Sequence, residues 1–559
     1  MGSVFFEIAI ILCLAAILAG IFRILRQPAI LAYILTGILI GPLGLFRVSG
    51  QDFLQTMAEV GITLLLFMIG LEIKLKELPS IGKVAAICGF FQIVLSFIAG
   101  FAVASILGFS IVSSAYIATA LVFSSTIIVV KLLSDKRDLG SLYAKISIGI
   151  LLIQDVLAIF ILIILSAFKS GQGVGFDQIP LLLLKAFVIF GWIIVLSRSI
   201  IPRVVEIFAK SSETLFLISI AWVFGLSAAV ASQPIGFSIE IGGFLAGLAL
   251  SGSIANYQII AKVKILRDFF IILFFVLLGI QMKFASIQSL IFPAVVLSAF
   301  VLFGKPLIVT TVMGAQGFRK RTSFLTGISL AQISEFSLII VFLGASIHQI
   351  PVRIVSLITL VGIITFTLST YVIIDGNKIY LKIHRRLSIF ERRKIKKEEV
   401  IDPDNISNLS GHVVVVGGDI LGKSIIEALS KDEHVVVVDF DPSIVRKLEG
   451  KSVSRLFGDI TDFDIQERAN LRGARLVIST IPDVEDNLLL LQMLAHENRE
   501  VKVLMMALEV RDAKTLYRAG ADYVILPHLA AGSQIAKIIK EDKLDLLDAV
   551  KRGDLKSIS

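Results

Sequence analysis

The chain has 559 residues, of which 56% are hydrophobic and 17% charged, with a mean hydropathy of +0.90 and a formal net charge of +9. That balance excludes an ordinary soluble globular protein and points to an integral membrane protein. Positive charge in such a protein gathers in the loops of one membrane face, so it does not argue for nucleic-acid binding.

Long apolar runs dominate from Met1 to Ile374, and composition typical of a soluble protein follows from Asp375. The first run has no basic segment before it, and Arg23 and Arg26 follow it, so no cleavable signal peptide is expected. Thirteen spans are predicted, near 4–22, 29–46, 57–73, 84–107, 111–131, 146–167, 181–201, 214–232, 236–252, 267–282, 286–313, 322–346 and 352–374. The second, third and ninth are interrupted by Gly and Pro, which leaves twelve as an alternative count. Loops on one side carry eighteen Lys and Arg, and those on the other carry five. The basic side is expected to be cytoplasmic, with the N-terminus outside and the C-terminal domain inside. The two cysteines, Cys13 and Cys88, lie within apolar runs and suggest neither disulfide nor zinc site.

Ionisable residues inside spans are candidates for function. Those nearest mid-span are Glu59, Asp155, Glu240, Lys305 and Glu335, whereas Glu7 and Glu72 lie near span ends and can snorkel. Asp155, beside Gln154 in "LLIQDVLAIF", is the strongest. A buried carboxylate can hold a proton or a monovalent cation but not both, which is the minimum an antiporter needs. The alternative is a helix-locking salt bridge, with Lys305 of "LFGKPLIV" as partner. "ATALVFSSTIIVV" (118–130) and "GISLAQISEFSLII" (327–340) place Ser124, Ser125 and Thr126, and Gln332, Ser334 and Glu335, in otherwise apolar spans. These are the fifth and twelfth spans, which correspond if spans 1–6 and 8–13 are inverted repeats. Broken helices at such positions coordinate ions in transporters, although Ser and Thr also serve helix packing.

Residues 375–410 form a basic linker, either a helix at the anionic leaflet or a solvated one. From 411 to 559 short Val and Ile runs alternate with helical stretches. Strands are predicted at 412–418, 434–440, 454–459, 475–481, 501–508 and 522–527, the pattern of a parallel, Rossmann-like sheet. In its first turn, "GGDILG", Gly417 and Gly422 fit a dinucleotide fingerprint, and Asp439 closes the second strand 22 residues after Gly417. Asp459, at the end of the third strand, joins this candidate nucleotide set. Asp419 stands where the middle glycine belongs and would repel phosphate, so a purely structural Rossmann unit is the competing reading. No transition-metal site is expected.

Taken in order, "RQPAILAYILTGILIGPLGL" (26–45), "LLLFMIGLEI" (64–73), "SSTIIVVKLL" (124–133), "IQDVLAI" (153–159), "IGGFLAGLAL" (241–250), "FFVLLGIQM" (274–282) and "LAQISEF" (330–336) resemble the monovalent cation:proton antiporter-2 family. The nearest branch is the Kef-type potassium/proton antiporters with a C-terminal domain of the regulator-of-potassium-conductance (TrkA-N) type. The resemblance implies a polytopic α-helical membrane domain (1–374) with inverted repeats and crossed broken helices, followed by an α/β Rossmann-like regulatory domain (411–559). It implies exchange of K⁺, or less readily Na⁺, for H⁺ at a cell (inner) membrane by a homodimer. Asp155 would bind the ion, with Gln154, Ser125, Thr126, Lys305 and Glu335 around it, and AMP, ATP or NAD(H) would bind the Rossmann domain. An ancillary subunit and glutathione gating are expectations of the class only. Glu240 departs from the branch's usual neutral residue and adds a second titratable position. The competing functions are a ligand-gated potassium channel, for which no "TVGYG"-like filter is present, a Na⁺/H⁺ antiporter, and a membrane oxidoreductase.

Overall fold

The computed structural model describes residues 4–44, 51–72, 82–136, 138–167, 212–232, 239–253, 255–282, 284–318, 320–390, 409–439, 444–445, 448, 453–458, 460, 463–497 and 501–540. The predicted span at 181–201, residues 391–408 of the linker and Asp459 lie outside these residues. The chain forms two compact units. The first comprises Met1–Leu132, Ile146–Gln316 and Ser323–Arg386, and the second Leu133–Lys145, Gly317–Thr322 and Leu387–Ser559. Neither unit is a single stretch of chain.

The first unit is helical. Its elements begin with α1 (Val4–Ile24), α2 (Ala29–Ile40), α3 (Gln51–Glu72), α4 (Gly82–Ile106), α5 (Ile111–Val122), α6 (Thr126–Asp135) and α7 (Leu142–Ala167). They continue with α8 (Ser212–Ala231), α9 (Ile239–Leu250), α10 (Asn256–Ile280), α11 (Phe284–Ala299), α12 (Lys305–Ala315), α13 (Lys320–Ser329), α14 (Glu335–Ser346), α15 (Val352–Ile374) and α16 (Gly376–Leu387). Each predicted span within the described residues is helical, and eight helices there are long and apolar enough to cross a membrane.

One boundary needs correction. The tenth span was expected to start at 267, after a basic loop, yet α10 starts at Asn256, so Lys262, Lys264 and Arg267 ride on the helix. Side chains at ordinary helical spacing carry charge along one face while the backbone stays continuous, so charge alone does not end a helix.

Helix α9 lies tightly on α3. A Cβ at Gly243 would sit 2.6 Å from the Thr63 carbonyl oxygen, and one at Gly247 would sit 2.0 Å from that of Phe67. Only glycine permits that approach, the small-residue packing that lets membrane helices associate without a hydrophobic drive. Both contacts advance four residues in the same direction, so α3 and α9 run parallel here.

In the second unit six strands form one parallel sheet: β1 (Val413–Val416), β2 (Val435–Asp439), β3 (Ser454–Phe457), β4 (Leu476–Ser479), β5 (Lys502–Met506) and β6 (Tyr523–Ile525). Their order is β3-β2-β1-β4-β5-β6, the doubly wound arrangement with its switch point between β1 and β4. The Val runs of β1 and β2 are buried throughout, as a sheet covered on both faces requires.

Candidate functional site

The fifth and twelfth predicted spans are both broken. Helix α5 ends at Val122 and α6 starts at Thr126, while α13 ends at Ser329 and α14 starts at Glu335. Breaking a helix in a membrane orphans carbonyls on one side and N–H groups on the other, and lipid cannot satisfy them. Here the two breaks satisfy each other. Ser124 Oγ donates to Leu330 O (3.0 Å), Gln332 Nε2 to Ser125 O (3.4 Å), and Ser337 Oγ to Ala120 O (2.5 Å). Ser334 caps α14, accepting from Phe336 N–H.

Lys305 lies at the centre of this exchange. It is fully buried and follows a π-helical turn, Phe300–Gly304, that aims it inward. Its ammonium donates to Phe123 O and to Gln332 O, both at 2.9 Å. Beside the alternative of a salt bridge to Asp155, these hydrogen bonds give Lys305 another role: they tie one break to the other. Two orphaned carbonyls offer a buried ammonium fixed partners that a single mobile carboxylate does not.

Asp155 accepts from Thr126 Oγ1 at 2.8 Å and is only partly buried. Gln154, the next residue on α7, turns the other way. Its Oε1 accepts from Ser124 N–H (2.8 Å), and its Nε2 donates to Gln92 Oε1 (2.6 Å). Gln92 in turn donates to Val122 O (3.2 Å), at the C-terminal end of α5. Gln92 was missed by charge-based reading, because an uncharged amide in "GFFQIVLSF" does not stand out. Glu335 accepts from Ser125 Oγ at 2.8 Å and is the first residue of α14, where a carboxylate meets the positive end of the helix dipole.

A cavity of about 520 Å³ reaches this constellation. Thr126, Asp155, Ser334 and Glu335 line it together with Lys264, Arg267 and Asp268 of α10. Asp155 thus shares a cavity with the basic first half of α10. Glu240 is not part of this cavity and lines a separate one with Glu59.

In the second unit Gly417 adopts φ +90°, and a Cβ on Gly422 would lie 1.9 Å from Gly417 O, so both glycines are required by the turn. Asp439 accepts from Gly418 N–H at 2.7 Å, which holds its carboxylate beside the turn. Asp419 precedes the helix Ile420–Leu429 and makes no side-chain capping bond. A cavity of about 710 Å³ opens here, lined by Gly417, Asp419, Asp439, Thr480, Asp483 and Lys145 among others. Its size suits a nucleotide, but six of its seven charged lining residues are acidic.

Asp483 is pushed up to about 9, first by burial, then by the Asp486 carboxylate and by its hydrogen bond to Asp138. An unfolded Asp titrates near ~3.9, so between there and about 9 the folded unit holds the extra proton, and stability falls as pH rises through that window. Melting of the full-length protein's C-terminal unit is expected to shift downward as pH rises from about 6 to 9. Asp483→Asn should flatten that slope; an unchanged slope would remove the assignment.

The sodium/hydrogen exchanger family (transmembrane) matches residues 9–374. This chain belongs to that family. The TrkA-N domain matches residues 413–527. The exchanger is 26% identical over 559 residues to YbaL of Escherichia coli (strain K12), a cation/proton antiporter by name, with 97% of each chain covered. It is 33% identical over 350 residues to K(+) efflux antiporter 4 of Arabidopsis thaliana, which covers 61% of this chain and 58% of that protein. The exchanger therefore spans less than two thirds of that plant relative. Among solved structures it is similar to the sodium proton antiporter MjNhaP1 from Methanocaldococcus jannaschii, at 15% identity, 69% of this chain, 98% of that chain and TM-score 0.47. The exchanger is a membrane protein for cation/proton exchange, and a TrkA-N domain follows its membrane part.

Proposed function

We propose that Asp155 is the exchange site and that the cation it takes in competition with the proton is K⁺. The observation that carries this is a carboxylate that accepts from Thr126 Oγ1, on the first residue of a half-helix, and lines a cavity of about 520 Å³. With Glu335 engaged by Ser125 Oγ and the neighbouring Gln154 committed to the backbone of the break, Asp155 fits exchange of one cation for one proton. K⁺ is supported by the plant relatives' names as K(+) efflux antiporters. The test is a cation series in proteoliposomes, with a pH-sensitive dye reporting proton movement. Dissipation of the gradient by K⁺ well ahead of Na⁺ is expected, and the reverse order would overturn the choice of cation.

The second unit adds regulation by an adenine nucleotide. In this cavity the Gly417–Gly422 turn would face the phosphates and Asp439 the ribose. Asp419, at the start of a helix, weakens the phosphate half. Titration calorimetry of the full-length protein with AMP, ATP, NAD⁺ and NADH is expected to show weak binding that Asp439→Ala removes. Asp419→Gly is expected to tighten it about tenfold, the effect of roughly 1.4 kcal/mol from one relieved repulsion. Absence of heat with all four nucleotides would leave this unit a structural one.

A further inference from the structure

Helices α3 and α9 bring two acids to one level. Glu59 lies four residues before Thr63 on α3, and Glu240 lies three before Gly243 on α9. Because the helices run parallel and touch at Thr63 and Gly243, both carboxylates fall one turn earlier on the same side of the unit. They line a small cavity of about 20 Å³ with Ile62, Leu162, Ile339 and Ser346. That is room for about one water-sized guest, close to the size of a dehydrated monovalent cation.

The placement is opposite the Asp155 entrance. Glu240 is the second residue of α9, Ser346 the last of α14, and Leu162 lies near the end of α7, all at helix ends away from the basic loops. The Asp155 cavity, by contrast, is bordered by Lys264 and Arg267. Ile62 and Ile339 line both cavities, so a single layer of apolar side chains separates them.

Glu240 itself points to a ligand. It is 7% exposed, and its Oε2 is buried without a hydrogen-bond partner. An acid near a helix N-terminus can be explained by the helix dipole alone, but that account would have the oxygen satisfied by backbone N–H groups. A buried carboxylate oxygen without a donor is costly, and a cation removes the cost.

We infer that Glu59 and Glu240 form a second monovalent-cation site, on the face opposite the basic loops, from which the ion passes to or from Asp155 when the Ile62–Ile339 layer parts. This rests on Asp155 being the exchange site. The two acids supply charge and Ser346 one further oxygen, an oxygen-only set suited to a hard cation.

The experiment uses full-length protein in proteoliposomes whose two orientations are separated, so that cation is offered to one face at a time. Glu240→Gln and Glu59→Gln are each expected to raise the half-saturating K⁺ concentration about tenfold at the opposite face, with that at the basic face unchanged. Unchanged values at both faces, or an equal rise at both, would overturn the site. If Glu240→Gln does not yield a monodisperse protein, Glu59→Gln alone decides. Exchange surviving in Asp155→Asn would instead overturn the exchange-site reading, so the two failures are distinguishable.

Discussion

Replacing Asp155 with Asn is expected to bring cation-dependent proton movement down to the level of empty liposomes while the protein still folds. Asn has nearly the shape of Asp and can still accept from Thr126 Oγ1, the bond made at 2.8 Å by the carboxylate. What it cannot do is release or take up a proton in the working pH range, nor neutralise a cation. Because Asp155 is only partly buried and Asn keeps its shape, the change in stability should stay within about 1 kcal/mol. A pH-sensitive dye in proteoliposomes, read with K⁺ and Na⁺ in turn, measures the first effect, and thermal unfolding in detergent the second. Undiminished exchange in this variant would place the ion site elsewhere.

Lys305→Ala is expected to act in the reverse manner, through the fold first. It strips the donor from two buried carbonyls, Phe123 O and Gln332 O, one in each helix break. Each buried acceptor left unsatisfied costs about 1–3 kcal/mol, so the loss should reach about 2–6 kcal/mol before the cavity is counted. The outcome to look for is a large fall in melting temperature together with lost exchange. Lys305→Gln, which can still donate to one carbonyl, should recover part of the stability. If Lys305→Ala melted like the parent protein but failed to transport, the ammonium would be acting on the ion and not on the backbone.

These two residues mark where sequence reading succeeds and where it stops. Asp155 stands out in "LLIQDVLAIF" because a carboxylate in an apolar run has a cost that composition alone reveals. Lys305 stands out for the same reason, yet nothing in the sequence points to the two hydrogen bonds it makes. Its partners are backbone carbonyls, and every residue has one, so no side-chain pattern signals which are orphaned. Gln92 was invisible for a related reason: it carries no charge, and its importance comes from meeting Gln154 and Val122 O across 62 and 30 residues of chain. Glu240 was legible as a charge, but its distance from the Asp155 cavity was not.

The sequence by itself determined the division into a membrane part and a Rossmann part, the helical spans and the six parallel strands. Those follow from hydropathy over lengths set by a bilayer and from Val-rich runs bounded by turns, both local properties. It also marked which in-span charges are candidates for function. The tertiary structure alone decided how the two breaks satisfy one another, and that Gln154 and Asp155, adjacent in sequence, face the backbone of the break and the cavity respectively. It alone set Ile62 and Ile339 between two acidic cavities. Those outcomes depend on where helices cross and which backbone groups are left unpaired there, and crossing is a property of the whole packed chain.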